Sequence, residues 1–249
     1  MTSTERIASG DAHRLTAAGF RYYSFISYPG TDDSMRRFAK QFHSELEALL
    51  SRNLPSCQTG NGCKYAFLDK ICLAEGPQWE RDLGVALCQS ITMVALCVPM
   101  YSHPEHAWCG REWAGMEELG QRRLPNGPDS IFVVKLGELP PLDDRIACVR
   151  PCNLSEHRLQ RLEGTAAFYR CLKAALHHVV AVSRAWLDSH PDPAPGASGS
   201  GASGSGASGS GSDCREYRLP EFSAFGPAST PLIASRQTDG VPASPEASA

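Results

Sequence analysis

Trp108 and Glu112, four residues apart, set an indole and a carboxylate on one face of a predicted helix. That helix follows an apolar strand, so its first turn stands at the carboxyl end of the sheet, where α/β sheets take their ligands. Two other segments reach the same edge. Ser27, Tyr28, Pro29 and Gly30 close the first predicted strand, and Asp69, Gly76 and Trp79 follow the second. A single carboxylate there suits one kind of chemistry. It can bond sugar hydroxyls and stabilise positive charge developing on a sugar ring, as glycosidase carboxylates do. Trp108 would shape the pocket, and Trp79 offers a ring on which a base could stack. The plainer reading of the same residues is a solvated helix carboxylate and two packing indoles. Arg36, Arg37, Arg81 and Arg111 are either partners for a pyrophosphate or solvated helix cations.

These side chains need elements to position them. Tyr22 to Tyr28 is aromatic and β-branched and reads as a buried strand, ended by Pro29-Gly30. Thr31 or Asp32 caps the next helix, in which Met35, Phe38, Phe42, Leu46 and Leu49 recur at helical spacing. Tyr65 to Asp69 reads as a second strand. Pro77 suits the first turn of a helix through Trp79, Leu83 and Leu87. Ile91 to Val98 is continuously apolar, as a parallel strand covered on both faces should be. A helix over about 108–121, a strand over 131–136, a short fifth strand near 146–149 and a long last helix from Leu159 to Val180 complete the pattern. Strands alternating with helices predict βαβ units and a parallel sheet.

The ends differ in kind. Residues 1–19 read as a flexible leader and 20–187 as the folded domain. Residues 188–212 are a Pro/Gly/Ser-rich flexible linker with three GASGS repeats, and 213–249 a disordered tail or a docking peptide.

Composition narrows the class. Hydrophobic content of 42% supports a packed core, and a net charge of −3 without a basic block argues against nucleic acid as a partner. The longest apolar run, Ile91 to Met100, is far short of the roughly 20 residues a membrane span needs, so no membrane partner is expected. The amino terminus lacks an apolar signal core, so a cytoplasmic chain with reduced thiols is expected. The ten cysteines include no CxxC pair, and no zinc or other metal site is expected. No GxxxxGK[ST], GxGxxG or GxSxG motif is present, which disfavours an NTPase, a hydride-transferring dehydrogenase or a serine hydrolase.

Three segments in this order carry a family resemblance: Phe25-Ile26-Ser27-Tyr28, Ala66-Phe67-Leu68-Asp69 and Trp108-Cys109-Gly110-Arg111-Glu112. Together they resemble the TIR (Toll/interleukin-1 receptor) domain, most closely TIR-like proteins of bacteria. The resemblance implies a flavodoxin-like, doubly wound parallel α/β sheet of about five strands. It also implies NAD or a related nucleotide as substrate, with no resident cofactor. Similar TIR enzymes carry their catalytic glutamate in a W-x-x-x-E arrangement, which assigns that role to Glu112. Nicotinamide leaves NAD as a neutral ring from a cationic one, so one carboxylate suffices and no general acid is needed. The expected activity is NAD glycohydrolysis or formation of cyclic ADP-ribose, in bacterial defence or stress signalling. Self-association or pairing with other TIR-like proteins is implied as well. The alternative is a catalytically silent interaction module. Two departures from the family's pattern bear on substrate affinity: Pro29-Gly30-Thr31 stands where a charged anchor is usual, and the Glu75-Gly76 pair is slightly displaced.

Overall fold

Alternation by twos decides which layer each strand residue feeds. Val94, Leu96, Phe132 and Val134 point to one face of the sheet, while Met93, Ala95, Cys97, Ile131 and Val133 point to the other. Both sets are buried, so the sheet is covered on both faces, as its continuous apolar strands require. The computed structural model describes residues 7–30, 32–56, 65–73, 78–137, 152–155, 162, 164–191 and 213–221.

The strands are β1 (Tyr22–Ser27), β2 (Ala66–Phe67), β3 (Ser90–Cys97), β4 (Ile131–Lys135) and β5 (Cys152–Asn153). All pair in parallel, in the order β2-β1-β3-β4-β5, the flavodoxin-like doubly wound arrangement. The strand order reverses between β1 and β3, which pair with Ser27 opposite Ala95. The helices are α1 (Ser9–Ala17), α2 (Asp33–Asn53), α3 (Asp69–Cys72), α4 (Trp79–Cys88), α5 (Ala107–Arg123) and α6 (Ala166–Ser189). Helices α1, α2 and α6 cover one face, and α4 and α5 cover the other. Among the described residues, no helix is long and apolar enough to cross a membrane.

Local chemistry sets the helix starts. The Asp32 carboxylate accepts the Met35 amide at 2.7 Å, and Thr165 Oγ1 accepts the Phe168 amide at 3.2 Å. The apolar stripe of α2 then meets α6 through Phe38, Phe42 and Phe168, whose ring centroids lie 6.0–6.1 Å apart. Phe42 is fully buried there, so Phe42→Ala is expected to cost about 3–5 kcal/mol, read as a lower denaturant midpoint at unchanged slope.

Several expectations need correction. Residues 9–17 of the expected flexible leader form α1, which buries Leu15 and sends Arg14 to the Leu187 carbonyl at 3.0 Å and to the His190 carbonyl. The Leu187 carbonyl also accepts the His190 amide at 3.3 Å, and the Arg14 guanidinium adds a cation at this carboxyl end of α6, where the helix dipole favours one. Asp69 begins α3 rather than ending β2. The fifth strand is Cys152–Asn153, and the expected one at 146–149 lies outside the described residues. The last helix starts at Ala166 and runs on to Ser189. For the tail, expected as disordered or as a docking peptide, residues 213–221 take the second course and pack onto α4 and α5, burying Cys214 and Leu219. The thiols are not all reduced: Cys88 is bonded to Cys214, and Cys72 is disulfide-bonded as well.

Candidate active site

The sheet reversal between β1 and β3 opens the crevice in which doubly wound folds bind ligands. Ser27 is the last residue of β1, and Tyr101 follows β3 through a turn closed by the bond from its amide to the Val98 carbonyl, 2.8 Å long. A short 3-10 turn at Pro104–His106 then redirects the chain into α5. One turn into that helix, Glu112 reaches back over the sheet end. Its Oε2 accepts a 2.5 Å hydrogen bond from Ser27 Oγ, which lies 2.7 Å from the Tyr101 hydroxyl. When Glu112 is ionised, Ser27 gives its one proton to the carboxylate and the Tyr101 hydroxyl donates to Ser27. Tyr101, Ser27 and Glu112 thus form one buried chain, with Glu112 only 7% exposed.

Burial dominates the electrostatics. Desolvation pushes the Glu112 carboxyl up from its ordinary 4.5 to about 8. The Ser27 hydrogen bond opposes that rise, and the Asp69 charge adds to it. Asp69 also bonds the Tyr28 phenol; burial first, then this carboxylate, raise the Tyr28 hydroxyl above its ordinary range. The Tyr101 hydroxyl and the Cys109 thiol are raised by burial too. Cys109 is therefore a thiol, not a thiolate nucleophile, at neutral pH.

Ser27, Tyr28, Asp69 and Glu112 are thereby brought together. Pro29 is buried beside them, while Gly30 is exposed and accepts from Arg36 at 3.4 Å. A Cβ added at Gly30 would meet nothing, so packing does not demand glycine there. Trp108 and Trp79 have other partners. Their half-buried rings meet edge to face at 4.9 Å, and the Arg111 guanidinium lies 4.5 Å over Trp108. Both pack against the core on the α4–α5 face, Trp79 at the start of α4 and Trp108 one turn before Glu112 on α5. Gly76 lies outside the described residues.

Tyr101 escaped the sequence reading. Its signal was faint: a tyrosine three residues beyond an apolar strand, in a segment otherwise readable only as a loop. A cavity of about 460 Å³, lined in part by Glu117, Gln121, Asp129 and Ser130, opens at the amino-terminal edge of β4, the opposite end of the sheet from Glu112. It does not border the Tyr101–Ser27–Glu112 chain. Among the described residues, no group of three or more side chains could hold a metal ion.

In comparisons with protein-family models, with curated proteins and with solved structures, the chain matches none.

Proposed function

We propose that the chain is a TIR-like, NAD-consuming enzyme, an NAD glycohydrolase or a cyclase, with Glu112 as its catalytic carboxylate. The observation that carries this reading is the placing of Glu112 at the β1–β3 reversal, in a hydrogen bond with a hydroxyl. A ribose hydroxyl reaching the second oxygen of Glu112 would bond this carboxylate as Ser27 Oγ bonds the first. The anion would then lie beside the ring carbon on which positive charge develops as nicotinamide departs. Asp69 adds negative charge to the same edge. No general acid is required, since the leaving ring gains neutrality by leaving.

Protonation couples this chemistry to pH. The reaction needs the Glu112 anion, whereas burial keeps the carboxyl protonated up to about pH 8. The cationic nicotinamide ring favours the anion when NAD binds. The kcat/KM for NAD, which reports the free enzyme, is therefore expected to rise through about pH 8, with the kcat limb at lower pH. Nicotinamide release across a pH series checks this; a profile flat from pH 6 to 9 would remove Glu112 from the role.

A second reading rests on a specific observation. Glu112 is closed off and already satisfied by Ser27, as a carboxylate in a purely structural network would be. On that reading the chain is a silent TIR–TIR interaction module. Assaying NAD consumption by purified protein at high concentration, with and without a crowding agent, separates the two. Nicotinamide release supports the enzyme; its absence under every assembly condition supports the module.

A further inference from the structure

Helices α4 and α5 each present a glycine to the same groove. A Cβ at Gly84 would meet the Tyr217 carbonyl oxygen at 3.0 Å, and one at Gly115 would meet Leu87 and the Tyr217 hydroxyl at 3.0 Å and Leu219 at 3.3 Å. The glycines leave room for a backbone, and residues 213–221 lie in that room. Leu219 is 4% exposed, and the Tyr217 hydroxyl donates to the Gly115 carbonyl at 3.2 Å. Arg111 donates to the Pro220 carbonyl at 3.0 Å and to the Leu219 carbonyl at 3.1 Å, and Arg81 to the Arg215 carbonyl at 3.4 Å. The Cys88–Cys214 disulfide fastens the amino end of the segment to the end of α4.

We infer that the α4–α5 groove is a peptide-docking surface for this chain's own residues 213–221, and that the Cys88–Cys214 disulfide is a latch whose reduction releases them. The noncovalent contacts are few for a segment that must be ordered along its whole length: besides the buried Cys214, one buried leucine, one half-buried tyrosine with the Arg122 guanidinium 6.0 Å over its ring, and a handful of hydrogen bonds. The stretch joining it to α6 is Gly/Ser-rich, so the tether alone supplies only a modest effective concentration. The covalent bond decides the balance. A dithiol reductant opens it by thiol–disulfide exchange: two electrons and two protons pass to Cys88 and Cys214, giving two thiols, while the reductant closes to its own disulfide. Release also frees Arg111, which lies over Trp108, from the two carbonyls that hold it. The inference is independent of the activity proposed for Glu112.

Limited trypsin digestion of the full chain, followed by intact mass, tests it. Arg215 and Arg218 lie exposed on the segment, just beyond Cys214, and residues 192–212 contain no Lys or Arg. Cutting after either arginine therefore sheds the rest of the tail whether or not the disulfide is intact. Cleavage at these two sites is expected to be at least about tenfold faster with dithiothreitol than without it, because proteolysis follows the released population. Cys214→Ser is expected to match the reduced wild type with no reductant; it also separates this bond from that of Cys72, which dithiothreitol reaches as well. Gly84→Val, which thrusts a side chain at the Tyr217 carbonyl, is expected to speed cleavage in the oxidised chain. If Cys214→Ser fails to fold, the wild type with and without reductant decides the matter. Equal resistance of oxidised and reduced wild type at Arg215 and Arg218 would overturn the latch.

Discussion

Glu112→Gln is expected to stabilise the folded chain by an amount that grows as pH is raised from about 5 to about 9. The wild-type carboxyl titrates at its ordinary 4.5 when unfolded and at about 8 when folded. Below pH 4.5 both states hold the proton and nothing is lost. Between 4.5 and about 8 the folded state keeps a proton that the unfolded state has released, so stability falls by roughly 1.4 kcal/mol per pH unit. Above about 8 the full loss, on the order of 5 kcal/mol, is in place. Glutamine has the same shape and no charge to desolvate, so its curve lacks this slope. Any mismatch of its amide with Ser27 adds a constant offset that does not vary with pH. Urea melts of the two proteins across the pH series measure the difference. Parallel curves would mean that the buried carboxyl titrates near its ordinary value and that its surroundings are wetter than the geometry indicates.

The second large effect concerns chemistry. If Glu112 stabilises the developing ribosyl cation, its replacement by glutamine should lower NAD turnover by at least about a hundredfold, the usual cost of losing one placed electrostatic group. The fall should be in kcat more than in KM, because the interaction strengthens only as charge develops. Paired with the first prediction, this gives a variant that is more stable at alkaline pH and inactive there. A residue that served only packing would not combine the two, since losing it lowers stability and activity together.

The parallel sheet was legible because period-two alternation and apolar runs such as Ile91 to Val98 leave no other home for their side chains. The edge of the crevice was legible for the same reason, since strand ends predict where the following loops meet. The Glu112–Ser27 bond was half legible: both residues were placed at that edge, but spacing along the chain does not show that one hydroxyl would meet the other's carboxylate. Tyr101 was not legible, because its place depends on a turn at Val98 with no periodic signal. Helix α1 was hidden by its few apolar residues; it is held by Leu15 and by Arg14 on the end of α6, contacts distant in sequence. The Cys88–Cys214 bond was hidden in the same way, joining residues 126 apart across a stretch whose composition reads as linker. Trp79 and Trp108 were placed correctly on their helices, but the structure packs them against each other, which spacing did not foretell.

The most direct test of the proposed activity is nicotinamide release from NAD by wild type and Glu112→Gln, side by side at high protein concentration near pH 8. Turnover by the wild type is expected, with a loss of at least about a hundredfold in a variant that melts at least as high. Turnover undiminished in the variant would contradict the assignment of Glu112. No turnover by either protein, under any assembly condition, would contradict the enzyme itself and leave the carboxylate as part of the buried Tyr101–Ser27–Glu112 network of an interaction module.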